Sequence, residues 1–312
     1  MAQPQPIPQP NERSQSVPSQ PLANPSPSQS VKAVPQRSPE IQAEVDRIRD
    51  SETYTAVTRD QLLFDWLSSQ RESRASGFVF GVNFGDLRKS CQYYQMQYVR
   101  KRGNLFLTPM PVLYADVEQY GSPTDLFVSI TQAAGNPFAG IGSLRDLRKQ
   151  AIGTLNKFQT RTLIIGYAEA LSVEALKELV KMRRDLKISI ILAGSMSLFE
   201  FFDQLDKQRG QKYKEIRNAF LDCCQYQRFE QNQIETILEG WELQVLGSWS
   251  KKLNLKAIPG VPTFLYTRCG GQAEPLYEML RQIASQTLDE PELQIKTSTL
   301  TKLFISKRVA SS

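Results

Sequence analysis

Four short apolar runs are spaced along the middle of this 312-residue chain, and each is followed by a stretch with helical periodicity. The runs are FVFG (78–81), MPVLYADV (110–117), RTLIIGY (161–167) and ISIILAGS (188–195). They are apolar throughout rather than alternating, which is typical of strands buried on both faces. Alternation of such strands with helices predicts an α/β fold, a parallel sheet flanked by helices on both sides.

Helical patterns also lie on either side of this region. Before the first run, Ile41, Val45 and Ile48 share one helical face, and the segment TRDQLLFDWLSSQRE predicts a second amphipathic helix. Beyond Ser195 the pattern is helical, interrupted by the Gly- and Pro-rich turn AIPGVPTFLYTRCGG. We expect a small C-terminal helical lid there. The last segment has mixed periodicity, which leaves a strand, a helix and a loose arm open.

Composition divides the chain into four predicted parts. Residues 1–39 are rich in Pro, Gln and Ser and nearly devoid of large apolar residues, which predicts a disordered tail that acts as a tether or, alternatively, as a polyproline ligand for a groove. The α/β core is predicted over 40–215, the helical lid over 216–290 and a basic C-terminal segment over 291–312.

Several function classes are excluded by what the composition lacks. There is no histidine, which excludes catalytic-triad hydrolases and the usual zinc hydrolases. The four cysteines form no CxxC pair and are predicted to be buried, reduced thiols without a metal. No run is long and apolar enough for a membrane helix and no secretory signal is present, so we expect a cytoplasmic protein. The net charge of +6 permits contact with nucleic acid.

The turn after the first apolar run stands where a P-loop ATPase binds phosphate. A working loop needs glycines, then a lysine for the phosphates and a Ser or Thr for magnesium. Counted from Gly81, the positions of the second Gly, the Lys and the Ser/Thr hold Asp86, Leu87 and Arg88. One alternative stays open, an enlarged loop in which Arg88, Lys89 and Ser90 bind the triphosphate at the helix N-terminus.

The end of the third run has lost its acids as well. Gly166 and Tyr167 stand where one carboxylate would hold magnesium and a second would orient water, and Glu169 is expected to be an exposed or capping carboxylate. Phosphoryl transfer depends almost wholly on electrostatic positioning. We therefore expect negligible hydrolysis, no catalytic residue, no metal and no bound ATP or Mg²⁺.

The order and spacing of these segments resemble a known family. EIQAEVDRIR and LLFDWL precede VFG; MPVLYADV leads into GSPTDLFVSI; TLIIGYAEAL stands in place of an IIDEADRL-like segment; and IILAGS and ETILEGWE follow. Together, from about Ile41 to Leu288, they are similar to AAA+ transposition regulators of the TniB/TnsC kind, including those of CRISPR-associated transposons. The resemblance implies an AAA+ P-loop-type fold with a small C-terminal lid.

The same resemblance implies partners. Active relatives assemble into rings or filaments on DNA and link a target-selecting TniQ protein to a transposase. For this chain it implies self-association or pairing with an AAA+ paralogue, TniQ-like and transposase partners, and duplex DNA, which would place the protein on the nucleoid.

Other positions depart from the family. The family's arginine before the lid falls on Ala219, two residues from Arg217, and Gln272 stands near the position of a second sensing arginine. Ser195 keeps a sensor position and is a further candidate for nucleotide contact.

Contacts to DNA and to other subunits rest on a few residues. The candidates for DNA are the basic run Arg100, Lys101 and Arg102, together with Tyr120; Lys251 and Lys252 form a second basic pair. The aromatics Phe199, Phe201 and Phe202 form either ordinary core or an oligomer contact.

These observations lead to one leading hypothesis and two alternatives. The leading hypothesis is a catalytically inactive pseudo-ATPase that serves as an oligomeric adaptor or regulator in DNA transposition and target selection. The alternatives are a domesticated adaptor of a CRISPR or other nucleoprotein complex, and a DNA-binding AAA+ protein that binds ATP weakly.

Overall fold

The structure is a computed structural model that describes residues 37–99, 109–117, 120–137, 139–207, 211–250 and 252–309. The chain divides into two compact units, Met1–Ser38 and Pro39–Ser312, and the description below concerns the second. The tail predicted over 1–39 lies outside the described residues apart from its last three.

A five-stranded, fully parallel sheet forms the centre of this unit. Its strands are β1 (Gly77–Gly81), β2 (Val112–Asp116), β3 (Thr162–Gly166), β4 (Ser189–Ser195) and β5 (Asp222–Tyr226). Their order across the sheet is β2-β3-β4-β1-β5. The predicted parallel sheet is confirmed, and each of the four apolar runs contains a strand. β5 was not predicted because its sequence, DCCQY, is largely polar and lies at the sheet edge.

Helices cover both faces of the sheet and continue into the lid. In the described residues they are α1 (Pro39–Arg49), α2 (Thr58–Ser73), α3 (Phe84–Tyr98), α4 (Pro123–Ala133), α5 (Leu144–Lys157), α6 (Val173–Leu186), α7 (Met196–Lys207), α8 (Gln211–Ala219), α9 (Ile234–Val245), α10 (Val261–Cys269), α11 (Ala273–Asp289) and α12 (Thr297–Val309). Several begin at a residue type that favours helix N-caps. Ser122 and Ser143, for example, form capping boxes at α4 and α5.

The two faces of the sheet bury separate apolar clusters. Phe78 and Phe80 of β1 point to the face covered by α4 to α8, whereas Val79 points to the face covered by α2 and α3. This alternation follows from the period of two in a strand. It explains why strands buried on both sides carry apolar residues at consecutive positions.

A third cluster holds the lid together. The fully buried Trp241 of α9 and Tyr277 of α11 lie at its centre, and Ile48 brings α1 onto the lid rather than onto the sheet. The C-terminal segment, for which the sequence left three conformations open, is helical as α12 and buries Leu300 in the same cluster. Because β5 belongs to the sheet, the α/β core continues to Tyr226, beyond the predicted lid boundary at 216.

Candidate functional site

The turn that joins β1 to α3 lies at the carboxyl edge of the sheet, where ligands of parallel α/β folds bind. Only Val82 and Asn83 separate β1, which ends at Gly81, from Phe84, the first residue of α3. The Asn83 side chain caps the helix by accepting a hydrogen bond from the Asp86 amide (3.4 Å). A P-loop places four residues between its two glycines. The β1–α3 turn is shorter than a P-loop, and its Asn83 side chain caps the helix that follows.

Asp86, the residue at the position of the second glycine, is a buried carboxylate with only 2% of its surface exposed. Its Oδ2 accepts hydrogen bonds from Arg59 Nη2 (3.0 Å) and the Ala273 amide (2.7 Å). Its Oδ1 accepts one from the Glu274 amide (2.9 Å). Ala273 and Glu274 begin the lid helix α11, so the carboxylate neutralises the free amides and partial positive charge of that N-terminus.

Arg59 completes this cluster from the first turn of α2. It is 8% exposed, its Cζ lies 4.7 Å from the Tyr226 ring centroid, and it donates a hydrogen bond to the Gln227 carbonyl (3.2 Å). Burial opposes the charged form, but the neighbouring Tyr226, Asp86 and Asp60 outweigh it and raise the pKa of Arg59 above its ordinary value. The guanidinium is therefore a permanent internal cation beside Asp86.

Little space remains between this cluster, the β1–α3 turn and the lid. The cavity there has a volume of about 10 Å³. Its lining residues are Arg59, Val82, Asn83, Asp86, Tyr226, Gln227, Arg228 and Gln272. Pockets for small ligands typically measure ~300–1,000 Å³, and a single water needs ~10–15 Å³. Protein side chains thus fill the space between core and lid.

The three residues of the alternative enlarged loop point in different directions. Arg88 donates from Nε to Asp116 Oδ2 (2.8 Å), at the end of β2. Lys89 Nζ lies 5.9 Å from the Tyr277 ring centroid, on the lid side. Ser90 is fully buried, and its hydroxyl donates to Asp60 Oδ1 (3.1 Å). The structure does not bring Arg88, Lys89 and Ser90 together at the turn.

The end of β3 is closed by its neighbours on β2. A Cβ added to Gly166 would lie far inside van der Waals contact with the Tyr114 hydroxyl and with Asp116 Oδ1. Tyr114 donates a short hydrogen bond to that carboxylate (2.5 Å), and Arg88 pairs with its other oxygen. An acidic side chain at position 166 would therefore need the space that this Tyr–Asp–Arg group occupies.

Tyr167, at the position where the sequence comparison expects the second acid, belongs to an aromatic contact. Its backbone is left-handed (φ 55°), and its ring packs on Phe84 at a centroid distance of 4.4 Å. Glu169 is half-buried rather than exposed, because its Oε1 accepts a hydrogen bond from the Ser195 amide (3.2 Å) at the end of β4. The Ser195 hydroxyl accepts from the Ser197 amide (3.3 Å), so the predicted sensor hydroxyl is part of a local turn.

Other residues occupy the two positions at which the resemblance to TniB/TnsC proteins implies arginines. Ala219 is buried at the end of α8, and Arg217 is half-buried on the same helix. Gln272, just before α11, accepts a hydrogen bond from Asn83 Nδ2 (3.1 Å). That bond links the β1–α3 turn directly to the lid.

The structure describes only some of the residues predicted to contact DNA or other subunits. Arg100, Lys101, Arg102 and Lys251 lie outside the described residues. Tyr120 is 83% exposed and Lys252 is exposed. Of the aromatics, Phe202 is buried and stacks on Phe78 at 4.4 Å, while Phe199 is 37% exposed. Phe202 is therefore core.

The cysteine prediction is confirmed only in part. All four cysteines are free thiols; Cys91 and Cys269 are buried, Cys224 is half-buried, and Cys223 is exposed on the edge strand. In the described part of the chain, no group of three or more Cys, Asp or Glu side chains is placed to hold a metal ion. Over the same residues, no helix has the length and apolar character required to cross a bilayer.

Sequence reasoning missed two members of the central cluster, Arg59 and Asp60. Asp60 is 1% exposed and accepts hydrogen bonds from the Val57 amide (2.8 Å) and the Tyr226 hydroxyl (2.6 Å). The sequence did hold a signal. Arg59 and Asp60 are a charged pair in the first turn of an amphipathic helix, and such a pair can face inwards when it caps the helix. Their partners Asp86 and Tyr226, however, lie far along the chain.

Comparisons with known proteins agree with this architecture. Residues 89–202 match a protein-family profile described as an AAA domain. No curated protein matches the chain at the level of sequence. The fold is similar to that of the Aeropyrum pernix ORC2 protein in its ADPNP-ADP complexes, with a TM-score of 0.59 and 12% identity over 85% of this chain and 72% of that one. The ADP form of the same protein gives a TM-score of 0.53 and 12% identity, over 84% of this chain and 71% of that one.

The protein therefore has the fold of AAA+ proteins, with a parallel sheet, flanking helices and a C-terminal helical lid. The predicted fold class is confirmed. At 12% identity this likeness concerns the fold alone, and the finer assignment to the TniB/TnsC regulators stays a prediction.

Proposed function

We propose that this protein is a pseudo-ATPase, an adaptor of AAA+ fold that joins other macromolecules without binding or hydrolysing ATP. The observation that supports the proposal most strongly is the Asp86 carboxylate. It accepts hydrogen bonds from both Arg59 and the first amides of α11, at the junction of core and lid. An internal anion thus makes the contacts that a bound phosphate would make at a helix N-terminus.

Electrostatics make this arrangement incompatible with a triphosphate in the same place. Two like unit charges 4 Å apart repel by ~4 kcal/mol at an effective dielectric constant near 20, and a triphosphate carries several. Release of Asp86 would also remove the carboxylate that lies 3.0 Å from the buried Arg59 and leave Asp60, at 3.9 Å, as its carboxylate neighbour. The Aeropyrum pernix ORC2 protein of similar fold was solved with ADPNP and ADP. The fold itself therefore accommodates nucleotide in that protein, and the difference we propose lies in the side chains.

Loss of hydrolysis follows from the same positions. Leu87 and Gly166 stand where a lysine and a metal-binding acid are needed, and Tyr167 stands where an acid would orient water. An arginine finger alone accounts for ~10³–10⁵ in rate. The combined losses remove the positioning on which phosphoryl transfer depends.

The biological role we propose is regulation of DNA transposition and target selection, on the resemblance to TniB/TnsC proteins. The chain would associate with itself or with an AAA+ paralogue and contact TniQ-like and transposase proteins. In relatives a nucleotide bridges neighbouring subunits. Here the interface would close through side chains or a partner, so assembly would not be timed by hydrolysis.

Mass photometry of the purified full-length chain, with and without millimolar MgATP, tests ATP-independent assembly. We expect identical mass distributions in the two conditions. Rings or filaments that form only with ATP would contradict the proposal and support the ATP-binding alternative. Co-elution with a TniQ-like protein encoded beside it tests the biological role, and a failure to co-elute would direct attention to another nucleoprotein complex.

A further inference from the structure

The amino edge of the sheet, opposite the candidate site, carries an open cleft of about 870 Å³. Four cations line it: Arg71 and Arg74 at the end of α2, Arg161 just before β3, and Lys187 at the end of α6. A second hollow of about 540 Å³ shares Arg74 and Lys187 and adds Arg183 and Arg184. We call the two together the amino-edge cleft.

The charge of the amino-edge cleft is not neutralised from within. Among the described residues, no acidic side chain pairs with Arg74, Arg161 or Lys187, all of which are exposed. The acids in the cleft are Glu72 and Glu215, and Glu215 lies 3.7 Å from Arg184. Cations at helix C-termini offset the helix dipole, which accounts for some of these side chains. Arg161 is not on a helix, so the helix dipole does not explain its position.

The backbone supplies a second observation. Arg74 (φ 53°), Gln159 (φ 54°) and Lys187 (φ 55°) are all left-handed, and all three line the cleft. Helices that end in this conformation usually do so at glycine, because other side chains are strained there. Strained residues concentrate at functional sites. Long polar side chains at all three positions therefore favour a functional role for these side chains, such as binding a ligand.

The geometry points to duplex DNA, and we propose that its phosphate backbone binds along the amino-edge cleft. The six cations span two adjoining hollows, which suits a row of phosphates rather than one anion. Proteins that bind single-stranded nucleic acid combine a basic groove with exposed aromatic rings on which the bases stack. The aromatic ring in the cleft, Tyr98, is covered by the Arg71 guanidinium at 4.1 Å.

This proposal rests on the proposed function, because it names where an ATP-independent adaptor would hold DNA. The two fail separately. Nucleotide titrations test the adaptor mechanism without DNA, and DNA titrations without ATP test the cleft.

The test is fluorescence anisotropy with a labelled 30-base-pair duplex and no nucleotide, at several salt concentrations. The cleft variant is Arg74→Glu, Arg161→Glu and Lys187→Glu. The control, Arg145→Glu, Lys149→Glu and Lys296→Glu, makes the same charge change at exposed positions elsewhere. We expect the cleft variant to bind at least tenfold more weakly than wild type. Its salt slope should fall by about 2.7, from three lost contacts at ~0.9 each, and the control should stay within threefold of wild type.

A second variant covers the case in which charge reversal disturbs folding. In Arg74→Gly, Lys187→Gly and Arg161→Gln, two strained positions receive the residue that their backbone favours, so the fold is retained while the charge is lost. The same loss of binding is expected. Undetectable binding by wild type at 50 mM salt, or an equal loss in the control, would overturn the proposal. Tighter binding of single strands, or displacement by polyglutamate at equal charge, would also overturn it.

Discussion

Asp86 concentrates several interactions in one carboxylate. It neutralises Arg59, satisfies two amides of α11 and is itself held by the turn that Asn83 caps. Since it joins the core to the lid, its removal affects both. A buried ion pair is most costly when only one partner is removed, because the other charge stays buried without compensation.

We predict that Asp86→Ala lowers the free energy of unfolding by about 3–5 kcal/mol, the range measured when one partner of a buried pair is deleted. Urea denaturation followed by circular dichroism provides the measurement. The control is Asp65→Ala, which removes an exposed carboxylate from α2 and should change stability by less than ~0.5 kcal/mol. Equal midpoints for the two variants would refute the role assigned to Asp86.

Gly166 provides a second test at a single position. A methyl group there meets the Tyr114 hydroxyl and Asp116, so we predict that Gly166→Ala destabilises the protein by about 1–3 kcal/mol. The matched change is Gly153→Ala, in the exposed middle of α5 with open space around it. It should stabilise by ~0.5–1 kcal/mol. Differential scanning calorimetry of both variants decides, and opposite shifts in Tm are expected.

At this scale the sequence supports a residue-by-residue comparison with a phosphate-binding loop by counting from Gly81, and the loss of its lysine and acids stays a prediction. What fills the space could not be read, because Arg59, Asp86 and Ala273 meet only after the lid folds onto the core. Their separations along the chain carry no periodic signal. Glu169 illustrates the same point, since its hydrogen bond to the Ser195 amide depends on the order of β3 and β4.

The elements were predicted well wherever burial was complete. β1 to β4 are covered on both faces, which produces continuous apolar runs that are visible in a single sequence. β5 pairs only with β1 and is polar on its exposed side, so it produced no such run. The helix α12 was left undecided because only one of its residues, Leu300, is fully buried in the lid among those described.

β5 makes a prediction about cysteine reactivity. Cys223 faces solvent, while Cys224 pairs with Val79, and burial, with Cys223 and Asp222 nearby, raises the pKa of Cys224 to about 11. Burial likewise raises the pKa of Cys91 and Cys269. Only the thiolate reacts, and a thiol with a pKa of about 11 is ~0.1% in the thiolate form at pH 8. Iodoacetamide should modify Cys223 much faster than the other three.

Peptide mass spectrometry over a time course measures these rates. Cys223→Ser is the control and should leave a protein with no fast site at pH 8. Rapid modification of Cys224 in the folded protein would show that β5 does not dock on β1 as described. The modification rate of Cys224 should rise as the pH approaches 11, because below that pH most of the Cys224 side chain is protonated.

At the scale of the whole molecule, protein groups join core and lid beside the β1–α3 turn. Asp86, Arg59 and the Asn83–Gln272 hydrogen bond form that junction. Lid closure would then be permanent rather than dependent on a ligand. A ligand that binds only the folded state stabilises it by RT ln(1 + [L]/Kd), so nucleotide should leave this protein's unfolding unchanged.

The central claim is that internal side chains replace the nucleotide, and isothermal titration of MgATP into the purified chain tests it most directly. We predict no saturable heat up to millimolar ATP, for the wild-type protein and for Lys89→Ala alike. Saturable, magnesium-dependent binding by the wild type would contradict the account, and its loss in Lys89→Ala would assign the triphosphate to the enlarged loop of Arg88, Lys89 and Ser90.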